Sequence, residues 1–524
     1  GYILISILIG CMAYNSLYEW QEIEALELGN KKIDELRKEI NNINIQMIKF
    51  SLLGETILEW NDKDIEHYHA RRMAMDSMLC RFKATYPAER IDSVRSLLEV
   101  NPFWAYAHSA VTDDLPPSFD SKHQYKNYNM LSTLVNRLAP SATLAMSQKS
   151  AELKAQGIDI INLSVGEPDF NTPDHIKEAA KKAVDDNFSR YSPVPGYPAL
   201  RNAIVEKLKR ENALDYTADQ IVCSNGAKQS VCNAIMALVS PGEEVIIPAP
   251  YWVSYPQMVL MADGKPVIVE AGIEQDFKIT PEQLEAAITP RTKAIILCSP
   301  SNPTGSVYSA EELEGLAAVL RRHEQVIVLS DEIYEHINYV GHHASIAACE
   351  GMKERTVVIN GVSKAYAMTG WRIGFIAAPT AIAKACNKLQ GQYTSGPCSV
   401  SQVAATEAFA GSQECVETMR QAFERRKELI VRLAKEVPGF EVNDPHGAFY
   451  LFPKCSYYFG KTDGQRVINN SMDFALYLLE EGHVATVGGD AFGSPECFRM
   501  SYATSDENIV EALRRIKEAV AKLH

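Results

Sequence analysis

The chain carries no excess of positive charge. Its 52 Lys and Arg stand against 66 Asp and Glu, a net charge of −14, which argues against a nucleic-acid-binding surface. No pair of its 11 cysteines has CxxC spacing. Odd in number and scattered, they fit the reduced thiols of a cytoplasmic protein better than a disulfide framework or a zinc site. No Walker A loop is present and no GxGxxG follows a candidate strand, so neither common phosphate or dinucleotide fingerprint applies. Internal repeats and low-complexity tracts are also lacking. Tyr2 to Tyr14 is almost entirely apolar but falls short of the roughly 20 residues of a membrane span. A buried helix or strand is the simpler expectation there. The tail of a cut span, or a signal-peptide core without its basic flank, is the alternative, and the chain opens on Gly1 as a truncated or processed N-terminus would.

What is present is ordinary globular composition, 46% hydrophobic and 23% charged, in 524 residues, enough for two or three domains with a large core. Residues 17–99 space Ile23, Leu26, Ile33, Leu36, Ile40 and Ile43 by about three and four, which predicts amphipathic helices. His67, His69, Arg71 and Arg72 there suit a solvated face. Residues 101–129, with Pro102, Pro116 and Pro117, have the composition of a linker. From Met130 the texture changes to strands alternating with helices, the pattern of an α/β domain with a mainly parallel sheet. Seven strands are expected: Gln220–Ser224, Glu244–Pro248, Pro266–Glu270, Lys293–Cys298, Val326–Ser330, Thr356–Ile359 and Ile373–Ala377. Helices are expected at Ala227–Val239, Ala310–Arg322 and Thr380–Gln390. Beyond Ser412, a long helix, strands near Phe440 and over Ala448–Phe452, and a closing helix Glu507–Leu523 suggest a smaller α+β lobe.

Lys364 stands just past the apolar strand Thr356–Ile359. Desolvating an ammonium is costly, so a lysine there is either an ordinary surface-turn residue or an amine nucleophile. Five other polar clusters follow strands or sit in apolar runs, where open α/β sheets place ligands. Ser224-Asn225-Gly226-Ala227-Lys228 joins a strand to a helix start, a simple glycine turn or an anion site. Tyr251-Trp252 are core aromatics or a stacking surface for a flat ring. Ser299-Pro300-Ser301-Asn302-Pro303-Thr304-Gly305 is a rigid turn that fixes Asn302. Asp331 and Tyr334 either share a cleft or cap the next helix. Arg499, inside the apolar stretch Phe498–Tyr502, needs an anion, either a structural carboxylate or a ligand.

Together these clusters ask for a planar, phosphorylated, Schiff-base-forming cofactor. SPSNPTG, SDEIYEH and SKAYAMTGWRIGF, in this order, resemble the class I aminotransferases of the pyridoxal-phosphate fold type I superfamily. PSATLAMSQKSAEL (Pro140–Leu153) and LSVGEPDF (Leu163–Phe170) are similar to bacterial aspartate aminotransferases. The similarity runs from about Met130 to the C-terminus; residues 1–129 have no counterpart. It implies a large PLP-binding domain at 176–412 and a small domain from 130–175 and 413–524.

The resemblance also implies the roles of individual residues. Lys364 would form the Schiff base with pyridoxal 5′-phosphate and carry the proton between Cα and C4′. Asp331 would keep the pyridine nitrogen protonated, Asn302 and Tyr334 would bond the ring 3′ oxygen, and Trp252 would stack on the ring. Gly226, Ala227, Lys228, Ser363 and Arg372 would surround the phosphate. Tyr191 would reach the phosphate of a neighbouring subunit, implying a homodimer. Arg499 would grip the substrate α-carboxylate beside the Gly166 backbone, with Trp252 and Asn302 also lining the substrate, and Thr143 and Lys228 would meet a distal carboxylate. No metal is expected. Many relatives have a serine where this chain has Gly361, which implies one phosphate hydroxyl fewer. The implied activity is transamination between L-aspartate and 2-oxoglutarate. An aromatic or prephenate-type substrate, or a PLP-dependent β-lyase reaction, is the alternative, and a regulatory DNA-binding role is disfavoured because 17–129 lack a basic recognition helix.

Overall fold

A computed structural model describes residues 132–524; the apolar run at 2–14, the helices expected over 17–99 and the linker lie outside the described residues. After a short strand β1 (Ile161–Asn162), the chain lays down β2 (Ile221–Ser224), β3 (Glu244–Ala249), β4 (Lys265–Glu270), β5 (Thr292–Cys298), β6 (Ile327–Asp331), β7 (Thr356–Gly361) and β8 (Gly374–Ala377). β2 to β8 form one sheet in the order β2-β8-β7-β6-β5-β3-β4. β8 runs antiparallel to both its neighbours, and every other pairing is parallel.

The near-continuous apolar runs of these strands follow from burial on both faces. Side chains alternate sides along a strand. Ile221, Cys223, Phe375 and Ala377 therefore join one core with Leu200, Ile204, Ala404 and Ala405 from the helices Pro198–Asn212 and Ser399–Ala410. Val222 and Ile376, one residue out of step, pack on the other face against Val231, Ile235 and Ala383 of the helices Ala227–Leu238 and Thr380–Tyr393. β4, at the edge of the sheet, is the strand left with exposed positions. Helix starts follow local chemistry. Ser309 Oγ accepts the Glu312 amide at 3.1 Å, while the Glu312 carboxylate accepts the Ser309 amide at 2.8 Å, a reciprocal cap.

A second core gathers Phe423, Ile430, Leu478, Ile509 and Ile516 from the helices Glu414–Ala434, Ser471–Glu481 and Asp506–Val520 against β9 (Tyr450–Leu451) and β12 (Phe498–Ser501). β11 (Val487–Gly488), β12 and β9 form an antiparallel sheet, and β1 pairs in parallel with β10 (Val484–Ala485). The strand expected near Phe440 is not formed. One isolated bridge, Glu441 to Lys454, stands in its place, because Gly439 turns at φ 82° just before it and Pro445 follows closely. Among the described residues no helix is long and apolar enough to cross a membrane.

Candidate active site

The parallel strands β3, β5, β6 and β7 end at one edge of the sheet, and antiparallel β8 begins there. This topology brings Trp252, Asn302, Asp331, Lys364 and Arg372 to one edge from five separate positions along the chain, the crevice where such sheets bind ligands.

Lys364 donates from Nζ to the Gly166 carbonyl at 2.6 Å, and its ammonium lies 5.6 Å from the Tyr334 ring and 5.8 Å from that of Phe449. Its side chain is partly accessible from the crevice, yet the surrounding protein desolvates the amine. That burial lowers its pKa to about 8, against an opposing pull from Glu167 and with a smaller push from Arg499 and Arg372. Asp331, at the end of β6, is buried, and burial raises its carboxyl to about 6, opposed by the hydrogen bond it accepts from Tyr255. Asn302 is buried and accepts from Arg499 Nη1 at 2.8 Å.

Arg499 in β12 is only 2% exposed. Its Nη2 donates to the Ser164 carbonyl at 2.7 Å, and its guanidinium lies between the rings of Tyr450 at 4.6 Å and Phe492 at 4.9 Å. Nε has no partner, and no carboxylate pairs with Arg499 among the described residues. A buried guanidinium that lacks an anion is a costly structural choice.

Gly226 adopts φ 80° at the start of helix Ala227–Leu238, and a Cβ there would lie 2.2 Å from Arg372 Nη2. The positive φ favours glycine there, and the absent side chain leaves room for the guanidinium. Arg372 is held by donation to the Thr369 carbonyl at 2.8 Å and the Asn225 carbonyl at 3.1 Å. A guanidinium thus faces the first N–H groups of a helix, which have no intrahelical acceptors. Ser363 is buried in the adjoining loop. The ammonium of Lys228 lies 4.9 Å over the Trp252 ring; burial, then Arg372, lowers its pKa.

Two residues stand apart in this chain. Tyr191 is 99% exposed. Thr143 is at the start of helix Ala142–Ala155, whose first residue packs against the cluster that includes Phe492, the ring beside Arg499. Three neighbours have no part in the sequence expectations. Tyr255 Oη donates to Asp331 Oδ2 at 2.6 Å, Tyr450 and Tyr334 share a hydrogen bond at 2.7 Å, and Glu167 accepts from Thr369 Oγ1. The i, i+3 spacing of Trp252 and Tyr255 was the available signal for the first.

The profile of the aminotransferase class I and II family matches residues 158–516. Over 398 residues the chain is 52% identical to a probable aspartate/prephenate aminotransferase of Rickettsia bellii, spanning 75% of this chain and 100% of that protein. The crystal structure of an aspartate aminotransferase from Rhizobium meliloti superposes with a TM-score of 0.73 at 44% identity, over 75% of this chain and 99% of that one. An aspartate aminotransferase of Thermus thermophilus with maleate gives 0.70 at 41%, over 75% and 100%. The chain belongs to the class I and II aminotransferase family. Its fold is that of the fold type I transferases, and its cofactor is pyridoxal 5′-phosphate.

The residues present fit that group. A desolvated amine without a carboxylate partner, a glycine-lined cradle facing an arginine, and a buried carboxylate at the end of the neighbouring strand offer the functions that an aldehyde, a phosphate and a ring nitrogen need.

Proposed function

We propose that the chain transfers the amino group of L-aspartate to 2-oxoglutarate, giving oxaloacetate and L-glutamate. The observation that carries this reading is the pair Lys364 and Arg499: two desolvated cations, neither paired with a carboxylate among the described residues, on one crevice. Lys364 holds the cofactor, Asp331 its ring nitrogen, Asn302 and Tyr334 its 3′ oxygen, and Trp252 the ring face. Gly226, Ala227, Lys228 (through its backbone), Ser363 and Arg372 hold the phosphate. When bound, the cofactor supplies an electron sink for the electron pair left at the substrate Cα.

The chain's own groups do the rest. Arg499 and the Gly166 backbone fix the α-carboxylate and so the direction of the Cα–H bond. Lys364, with a pKa of about 8, is partly neutral near pH 7 and takes the proton from Cα. The aromatic rings of Tyr334 and Phe449 flank the amine and limit its hydration. The Lys228 ammonium, 4.9 Å over the Trp252 ring, meets the distal carboxylate together with Thr143 under this proposal.

Prephenate is a second substrate under this proposal, favoured by the aspartate/prephenate relative at 52% identity. Residues 130–175 and 413–524 form the small lobe and 176–412 the large one. The exposed Tyr191 completes the phosphate site of a neighbouring subunit in a cytoplasmic homodimer. The test is spectral and chemical. Purified protein should take up PLP with an absorbance band that Lys364→Ala abolishes, and should release oxaloacetate from aspartate without ammonia. Pyruvate with ammonia would indicate lyase chemistry, and absence of both band and oxo acid would refute the proposal.

A further inference from the structure

Asp331 is the carboxylate assigned above to the cofactor ring nitrogen, and its charge is not secure on its own. It sits at the end of β6 with 4% exposure, and burial favours its protonated form. One oxygen, Oδ1, accepts only a long backbone bond from the Ile333 amide at 3.3 Å. The other, Oδ2, accepts a 2.6 Å bond from Tyr255 Oη. The remaining ionisable groups facing Asp331 are Cys298, Glu332 and Lys364. Glu332 is a like charge, and Cys298 lies against the same phenol, so Tyr255 is the one neutral donor side chain turned to this carboxylate among these.

Tyr255 is 2% exposed, on the helix Ser254–Met261, and its ring meets the Trp252 indole edge to face at 5.4 Å and 88°. One side chain therefore braces the indole assigned to the ring face and donates to the carboxylate assigned to the ring nitrogen. We infer that Tyr255 is a positioning residue that keeps Asp331 ionised and aimed, so that the shared proton stays on the cofactor ring nitrogen rather than on the carboxylate. A hydrogen bond donated to a carboxylate lowers its basicity. Without that donor Asp331 competes more strongly for the ring proton, and the electron sink weakens. This inference rests on the PLP reading of the site.

Tyr255→Phe keeps the ring against Trp252 and removes only the hydroxyl. Its expected effects are an increase of about ten- to a hundredfold in the PLP dissociation constant, measured by equilibrium dialysis, and a rise in the pH midpoint of the bound-cofactor absorbance band. In an Asp331→Asn background, where there is no carboxylate to act through, the same change should alter PLP affinity less than twofold. An equal loss in both backgrounds, or no change in affinity or midpoint, would overturn the inference. Incorporation of 3-fluorotyrosine at position 255 keeps the hydroxyl and makes it a stronger donor. It should lower the midpoint, and an unchanged midpoint would overturn the inference even where Tyr255→Phe does not fold. Wild-type protein with a PLP band lost in Lys364→Ala upholds the reading of the site whatever Tyr255 does.

Discussion

Gly361 and Gly374 face each other across β7 and β8, and a Cβ on Gly361 would lie 2.6 Å from the Ile373 carbonyl oxygen and 2.8 Å from the Gly374 Cα. Gly361 is thus a packing requirement of an antiparallel pair three residues before Lys364. Gly361→Ser would add a hydroxyl near the phosphate residues only by wedging the two strands apart. We expect it to cost about 1–3 kcal/mol of stability, as overpacking does, and to leave PLP affinity no better. Urea melts with PLP dialysis check both; tighter PLP binding at unchanged stability would contradict the account.

How far this site was legible in the sequence depended on how local its signals are. Strands β5 to β8 were readable because burial on both faces writes continuous apolar runs, and Lys364, Asp331 and Arg499 were readable as polar misfits at the ends of, or inside, such runs. Tyr255 and Tyr450 were not, because a buried tyrosine looks like core until its partner is known. Those partners lie 76 and 116 residues away in the chain. The strand expected near Phe440 had the right composition, but a single bridge to Lys454 is all the partner segment offers.

Lys207 has no exposed surface, and its ammonium pairs with Glu335, which also accepts from Asn212 Nδ2 and Asn360 Nδ2, each at 2.7 Å. Asn360 is four residues before Lys364, so this cluster anchors the strand that leads into the Lys364 loop. Burial pushes the Glu335 carboxyl up, but Lys207 and the nearby histidines outweigh it and hold the group well below the usual carboxylate range. A depressed carboxylate contributes stability that is present above the unfolded value of 4.5 and is lost as pH falls toward the folded one. Lys207→Met strands the charge. It should cost about 3–5 kcal/mol at pH 7, with part regained on adding Glu335→Gln, and a thermal melt series reads both.

The amine of Lys364 attacks an aldehyde only when neutral. With its pKa lowered from 10.5 to about 8, the neutral fraction at pH 7 is about a tenth, against a few ten-thousandths for an ordinary lysine. The rate of PLP uptake by cofactor-free protein should therefore rise about tenfold per pH unit below 8 and level off above it. Stopped-flow absorbance from pH 6 to 9.5 measures this, and a rate still climbing at pH 9.5 would place the amine in an ordinary environment.

Arg499 and Lys228 should separate recognition of the two substrate carboxylates. Every amino acid carries the α-carboxylate, so Arg499→Lys, which loses the planar fork and leaves Asn302 and the Ser164 carbonyl without a donor of matching shape, should lower kcat/KM by about a hundred- to a thousandfold for every donor. Only dicarboxylic substrates carry the second group. Lys228→Met keeps an unbranched stem over Trp252 and removes the charge, so kcat/KM for aspartate and 2-oxoglutarate should fall about ten- to a hundredfold while an aromatic amino acid is unaffected or gains. PLP affinity should stay within a few-fold of wild type if Lys228 serves the phosphate through its backbone, as proposed above. A loss of PLP binding in Lys228→Met, with no change in donor preference, would mean that its ammonium serves the cofactor instead.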